Sequence, residues 1–370
     1  MVNQLIPGVA VGVSRYGRHI VDVPLGWADI ENDVPVRRYS MWRMASISKS
    51  LTSALVGKLM ENGRLSLNES IYKYLKPGIF PVKQWKGKDV DITVGQLMSH
   101  TSGLPVDNSD KDMTKIYEYT NCTESVAKFR NDPLISAPGT QYNYSNYAYQ
   151  VLGAVIESVT NENFATTIDK LMRDIHMNAT MAETYGMVVR HRVHDYIRSD
   201  SGYLLHPTTN KSQLHLMNAV ILDDSLTVEA QWSSGGMMSN VDDLLTFADF
   251  MLDSYYNINN TNPDLLKSET INQLWEPIFK KTIDKFGTHK TAHGWEVIEL
   301  DKPITCTNKC QMPASIRKVI WKTGGLYGLA TIIVILPEQH ICVTFFCNNS
   351  SFNNTGLIEL ALIVAKQFMM

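Results

Sequence analysis

Long apolar runs are missing from this sequence. The best candidate, Ala330 to Leu336, is cut off by Pro337-Glu338-Gln339-His340, well short of a bilayer crossing. An excess of one charge is also missing. Lys and Arg number 34 against 37 Asp and Glu, a formal net charge of -3, and no Lys/Arg run tracks a phosphate backbone. A polyanion-binding protein is thereby excluded, and no nucleic-acid partner is expected. Cysteine is scarce and odd in number: Cys122, Cys306, Cys310, Cys342 and Cys347. No repeated C-x-x-C spacing occurs, which argues against a structural zinc site; Cys306 and Cys310 could pair. Internal repeats and low-complexity linkers are absent too. Met1 to Pro7 has neither an apolar signal core nor an Arg-rich amphipathic leader, so the chain is expected to be cytosolic or to begin after a leader. Sequons at Asn68, Asn121, Asn143, Asn178, Asn210, Asn259, Asn348, Asn349 and Asn353 exceed the roughly four expected by chance, a weak pointer to secretion.

What is present suits a large packed interior. The 370 residues, 44% of them apolar, fit one large or two modest domains. The ends read as β and the middle as mostly helical. Gly8 to Ser14 and His19 to Gly26, on either side of Tyr16-Gly17, form an expected hairpin. Leu329 to Leu336 and Ile341 to Phe346 are strand-like runs around a Pro-Glu-Gln-His turn. Leu357 to Met370 is apolar nearly all round, the pattern of a helix packed on a sheet. The two ends are therefore expected to share one sheet. The fold class is α/β (α+β): one domain over 1–370, with an α/β lobe at about 1–60 and 290–370. An inserted, mostly helical lobe covers about 61–289.

Three helices can be placed in the middle. Ser50 to Asn62 carries Leu51, Ala54, Leu55 and Leu59 on one face and stops at Asn62-Gly63. Tyr147 to Thr160 opens with Ser145-Asn146 as caps. Ser239 to Leu252 has Ser239 and Asp242 at capping-box spacing. Asn257 to Pro263 reads as a polar surface loop.

Three short signals carry chemistry. Ser46-Ile47-Ser48-Lys49 stands at the start of the first central helix. Ser and Lys three apart on a helix share a face, about 5–6 Å between Cβ atoms. A neutral amine there can take the hydroxyl proton, which serine must lose to attack a carbonyl. The helix start also favours developing negative charge. About one S-x-x-K is expected by chance, and Ser315-Ile316-Arg317-Lys318 is a second match, lacking a following helix. Tyr144-Ser145-Asn146 again precedes a helix. A phenol near two ammonium groups is stabilised as phenolate, and Asn146 offers a donor and an acceptor to a substrate amide. The bland alternative is a Tyr-rich turn, since Tyr142, Tyr147 and Tyr149 crowd the same stretch. Lys322-Thr323-Gly324-Gly325 follows Val319-Ile320-Trp321 on an expected strand. Its lysine supplies fixed charge and its glycines allow close approach to a strand edge, where an N–H can bind an oxyanion. Alone it would read as a Gly-Gly turn. The three in this order form a far rarer conjunction than any one.

Other templates fail: the sequence has no G-x-S-x-G, no G-x-x-x-x-G-K-S/T and no H-E-x-x-H. His191 and His194 are three apart, but Asp195 beside them is expected to be an ordinary surface acid in a solvated loop, not a metal ligand. His100 is expected to order its turn rather than transfer protons, and the methionines to fill core gaps.

Together these motifs resemble the class C β-lactamase and penicillin-binding-protein-like serine hydrolases, over almost the whole chain. Leu97-Met98-Ser99-His100-Thr101-Ser102-Gly103-Leu104 and Ser234-Gly235-Gly236-Met237-Met238-Ser239 add to the likeness. Within the group the chain looks most like an animal mitochondrial branch. It is marked by Gly26-Trp27-Ala28-Asp29-Ile30-Glu31-Asn32, Met44 to Thr52, Asn131-Asp132-Pro133-Leu134 and Pro138-Gly139-Thr140-Gln141. The resemblance implies an antiparallel sheet flanked by helices, with the site between sheet and helical lobe. It implies Ser46 as nucleophile, Lys49 and Tyr144 sharing acid–base work, and Asn146 holding the substrate amide. Lys322 would tune Tyr144 and attract a carboxylate, and the N–H groups of Ser46 and Gly325 would form the oxyanion hole. Thr323 and Gly324 complete the expected substrate-binding set. No cofactor and no metal are expected.

Two functions follow. One is a serine hydrolase forming an acyl-enzyme on a small peptide, amide or ester substrate. The other is a structural, filament-forming protein keeping the hydrolase shell, with a homo-oligomer as the expected partner state. The nearest branch implies mitochondrial peptidase activity affecting lipid metabolism; secreted or cytosolic residence is the alternative.

Overall fold

The computed structural model describes residues 6–106, 120–184, 187–199, 202–205, 231–284, 286–300, 313–326, 328–349 and 354–369. The first part of the chain holds strands β1 (Gly8–Arg15), β2 (Arg18–Asp29), β3 (Val34–Pro35) and β4 (Trp42–Arg43), then helix α1 (Ser48–Glu61). The middle holds β5 (Lys83–Trp85), β6 (Lys88–Val90), α2 (Val94–Met98), α3 (Cys122–Ser125), α4 (Asn146–Thr160) and α5 (Phe164–Asp174). After β7 (Met181–Ala182), β8 (Tyr196–Ser199), β9 (Gly202–Leu205) and β10 (Met237–Ser239) come α6 (Val241–Tyr256) and α7 (Ser268–Leu274). The last part is β11 (Phe279–Asp284), β12 (Gly287–Thr291), β13 (Glu296–Glu299), β14 (Lys318–Leu326), β15 (Leu329–Leu336), β16 (Ile341–Cys347) and α8 (Asn354–Lys366).

Among the described residues the main sheet has nine antiparallel strands in the order β11-β12-β13-β14-β15-β16-β1-β2-β3. The expected N-terminal hairpin is β1–β2, and β1 also pairs with β16, Val9 opposite Cys347. The chain ends thus close one sheet. Every residue of β15 and β16 is buried. Their continuous apolar runs follow from cover on both faces. On one face Leu357, Ile358, Ala361 and Leu362 of α8 pack with Ile332, Val334 and Val343. On the other, Ile333, Ile335 and Phe346 join a large core with α1, α4 and α6.

The sheet layer is wider than the two ends of the chain. It takes in β11 and β12, which begin eleven residues before the boundary expected at about 290, and α6 packs on it from within the stretch given to the helical lobe. Gly12 makes that packing close: a Cβ there would stand 2.3 Å from Val241 Cγ1. Ser14 Oγ of β1 donates to Asp249 Oδ1 of α6 at 2.5 Å. The start of α6 also corrects the capping expectation. Its N-cap is Asn240, whose Oδ1 accepts from Asp243 N at 2.9 Å. Ser239 instead lies in β10 and bonds Thr180 Oγ1, while Asp242 pairs with Arg38.

Helix α4 begins as expected. Ser145 Oγ accepts from Ala148 N at 3.1 Å and donates to Pro105 O at 2.7 Å, pinning the helix start to the 97–104 turn. Helix α1 runs from Ser48, and its whole first half is buried, not only its apolar stripe. Three of its buried hydroxyls are satisfied by carbonyls: Ser50 by Gly294 at 2.9 Å, Thr52 by Ser233 at 2.9 Å and Ser53 by His293 at 2.5 Å.

Asp195 is not the surface acid expected. It is 3% exposed and accepts from Arg43 Nη1 at 3.0 Å. Arg43 also makes two 2.8 Å bonds to Glu183, which takes a further bond from Arg192. Burial pushes the Asp195 carboxyl up to about 6 against the pull of Arg43. His191 packs against Tyr39 with ring centroids 4.3 Å apart and the rings tilted by 57°. Cys122, Cys342 and Cys347 are free and buried; Cys306 and Cys310 lie outside the described residues. No described helix is long and apolar enough to cross a membrane.

Candidate active site

Ser46 sits in a tight 3-10 turn, Ala45–Ile47, between β4 and α1. The reversal from strand to helix is sharp. Ala45 adopts φ +46°, a left-handed conformation costly for a residue with a Cβ. It is held from both sides: Met44 N donates to Met237 O at 2.9 Å, and Thr331 Oγ1 donates to Met44 O at 3.1 Å. Gly324 of β14 packs directly against this bend. A Cβ at Gly324 would lie 2.1 Å from Met44 O, so only glycine permits the approach.

Lys49 is the second residue of α1 and is fully buried. Its Nζ meets three oxygens: Ser46 Oγ at 3.2 Å, Asn146 Oδ1 at 2.8 Å and Ser234 O at 2.5 Å. Tyr144 OH donates to Ser46 Oγ at 2.7 Å. The Tyr144 ring is boxed in by Lys49 Nζ at 5.0 Å and Lys322 Nζ at 5.2 Å from its centroid. The His100 ring lies 4.3 Å away. His100 adopts φ +59°, and its Nδ1 accepts from Ser145 N at 3.2 Å. Burial, then the nearby lysines, hold it well below its usual pKa, so it is a neutral acceptor that fixes the turn.

Lys322 reaches the site from β14, where it is 3% exposed. Burial lowers its pKa to about 8, against the attraction of Glu296, whose Oε1 is 3.5 Å away. Strand alternation puts Gly324 on the face of Lys322, and Thr323 and Gly325 on the other. Gly325 is open, with nothing within 4 Å of a Cβ placed there. Strand β13 pairs with β14 only over Lys318–Trp321. Beyond Trp321, that edge of β14 has no partner strand among the described residues.

The fold therefore brings Ser46, Lys49, Tyr144, Asn146 and Lys322 together from α1, the approach to α4, and β14. Thr323 is buried on the face of β14 opposite Lys322, away from this group. Sequence reading missed three participants. Ser234 lies in a motif already noted, but its part is played by a backbone carbonyl, which side-chain reasoning overlooks. Lys281 and Glu296 have no motif around them and meet only through strand register. The second S-x-x-K match is not at the site: Ser315 lies in a turn and bonds Gln339 at 3.2 Å.

Such a cluster can remove a proton from a serine hydroxyl and stabilise the negative charge of its attack. The sequence profile of the family described as Beta-lactamase matches residues 1–366. The chain belongs to the β-lactamase family. The human protein described as "Serine beta-lactamase-like protein LACTB, mitochondrial" is 28% identical, over 98% of this chain and 76% of its own length. Among solved structures, an octameric penicillin-binding protein homologue from Pyrococcus abyssi superposes with a TM-score of 0.75 at 20% identity. That match covers 99% of this chain and 75% of the other. A class C β-lactamase gives 0.72 at 18% identity, covering 99% and 92%. Fold class and family thus agree with the expectation from the motifs.

Proposed function

We propose that this chain is a serine hydrolase that cleaves an amide or peptide bond through an acyl-enzyme on Ser46, with esters as the alternative substrates. The observation that carries the reading is the position of Ser46 Oγ, 2.7 Å from a phenol and 3.2 Å from a buried amine. In this mechanism the Ser46 proton passes to Lys49, or to Tyr144 acting as its phenolate, as Oγ bonds to the carbonyl carbon. A neutral Lys49 suits the role: its two N–H groups go to Asn146 Oδ1 and Ser234 O, leaving a lone pair toward Ser46. The oxyanion is taken by the N–H groups of Ser46 and Gly325. The leaving amine departs with the proton, and water repeats the sequence to release the acid. Lys322 supplies positive charge beside Tyr144 throughout.

Labelling with a fluorescent penicillin or a fluorophosphonate tests this. The adduct should map to Ser46 and vanish in Ser46→Ala. Lys49→Ala should slow acylation at least about a hundredfold. Labelling at another residue, or unchanged labelling in Ser46→Ala, ends the proposal.

A second reading is homo-oligomeric assembly, favoured by the octameric archaeal structure. Light scattering on the purified chain tests it, and a monomer at all concentrations would discard it. Mitochondrial residence is inferred from the named animal relatives; imaging of the tagged gene product decides it.

A further inference from the structure

Near the candidate nucleophile two lysines, Lys281 and Lys322, share a carboxylate, while Lys49 and Lys322 both lie beside the Tyr144 ring. That carboxylate is Glu296, the first residue of β13, 4% exposed and opposite Trp321 in register. Lys281 crosses from β11, over β12, and meets both Glu296 oxygens at 2.7 Å. Lys322 Nζ lies 3.5 Å from Glu296 Oε1, so the two ammonium groups share one acid. Lys281 is held in place further by the rings of Tyr142 and Trp321, each 5.7 Å from its Nζ.

We propose that Glu296 and Lys281 are positioning residues that set the charge on Lys322, and through it the pH range in which Ser46 reacts. This rests on the acyl-enzyme reading above and deepens it. The charged and titratable groups around Lys322 are few. Glu296 faces it from β13, Lys281 from β11, Tyr144 from the approach to α4 and His100 from the turn after α2, with Lys49 beyond the Tyr144 ring. Its register neighbour on β15, Ile333, is apolar. His100 is neutral, so among the described residues Glu296 favours the ammonium form and Lys281 opposes it. The bidentate Lys281 bond also draws the carboxylate away from Lys322, which has only the longer contact. Removing either partner therefore has opposite consequences.

The experiment uses the full chain as wild type, Glu296→Gln and Lys281→Met, each checked for folding by circular dichroism. The second-order rate of fluorophosphonate labelling is measured from pH 6 to 10. In wild type the rate should fall as Lys322 deprotonates, with a midpoint near 8. Glu296→Gln should move that midpoint down by about one pH unit and Lys281→Met should move it up, the usual scale for a close charge. A merely structural pair would slow labelling without moving the midpoint, and movement of both variants in one direction, or none, overturns the proposal. Thermal stability against pH provides a readout independent of reactivity. The wild-type rise in stability above about pH 8 should start lower in Glu296→Gln and higher in Lys281→Met. Absence of labelling with these stability shifts intact would refute the acyl-enzyme reading alone. Unmoved stability profiles would refute the role of Glu296 and Lys281.

Discussion

Replacing Gly324 by alanine probes how the site is held together. A Cβ at that position would stand 2.1 Å from Met44 O, 2.4 Å from Thr331 Oγ1 and 3.1 Å from Ala45 Cβ. Carbon and oxygen normally approach to about 3.3–3.6 Å. Strand and bend must therefore separate by about 1 Å. Neither obstacle yields easily, because Met44 is tied to Met237 and Thr331 belongs to a buried strand. Overpacking of this kind costs about 1–3 kcal/mol. The same displacement pulls Lys322 and the open edge of β14 away from Ser46, and a 1 Å misplacement costs about a hundredfold in rate. Gly325→Ala is the control, since its new methyl meets nothing within 4 Å. Its stability should stay within about 0.5 kcal/mol of wild type. Urea denaturation and the rate of fluorophosphonate labelling read both effects. A Gly324→Ala protein with the wild-type midpoint and rate would refute the packing of β14 on the Met44–Ala45 bend.

Three further substitutions have signs that can be worked out. Burial brings the Lys322 pKa down to about 8 from its ordinary 10.5, so keeping it charged in the fold costs on the order of 3 kcal/mol at about 1.4 kcal/mol per pH unit. The cost is complete below pH 8 and relieved as pH rises from 8 toward 10.5, because the folded protein sheds its proton first. Lys322→Met should therefore melt higher than wild type at pH 7, with the difference shrinking by pH 10, while labelling at Ser46 collapses; a lower melting point at pH 7 would contradict this. Arg43→Leu leaves Glu183 and Asp195 buried without their main cation and should cost about 3–5 kcal/mol in chemical denaturation, much of it recovered by adding Glu183→Met. Asn240→Ala removes the α6 cap and should cost about 1 kcal/mol by the same assay. An unchanged midpoint would mean the cap bond is not formed.

The parts of the fold that were readable are those whose local pattern and tertiary role agree. The β15 and β16 runs are apolar because both their faces are covered, and α4 starts where Ser145 caps it. The α6 cap was misplaced by one residue because Ser, Asn and Asp all suit the position and only the backbone decides among them. The placing of β11 and β12 in the sheet depends on strand pairing, which their polar, half-exposed sequences do not announce. The candidate site was legible wherever a helix turn or strand set the spacing, as for Ser46 with Lys49 and Lys322 with Gly324. Ser234, Lys281 and Glu296 were not, since a backbone carbonyl and a cross-strand ion pair have no signature along the chain. Asp195 was misread for a related reason: its partner, Arg43, lies 152 residues away.

Strand β1 leaves the ribosome more than three hundred residues before its inner neighbour, β16. Until residues 341–347 have been made, β1 has only β2 beside it, and one of its edges stands open to any other extended chain. Lys322 and Gly324 are likewise synthesised nearly three hundred residues after Ser46. A nascent chain therefore cannot assemble the candidate site piecemeal, because contacts so far apart in sequence form only after the long loop between them closes.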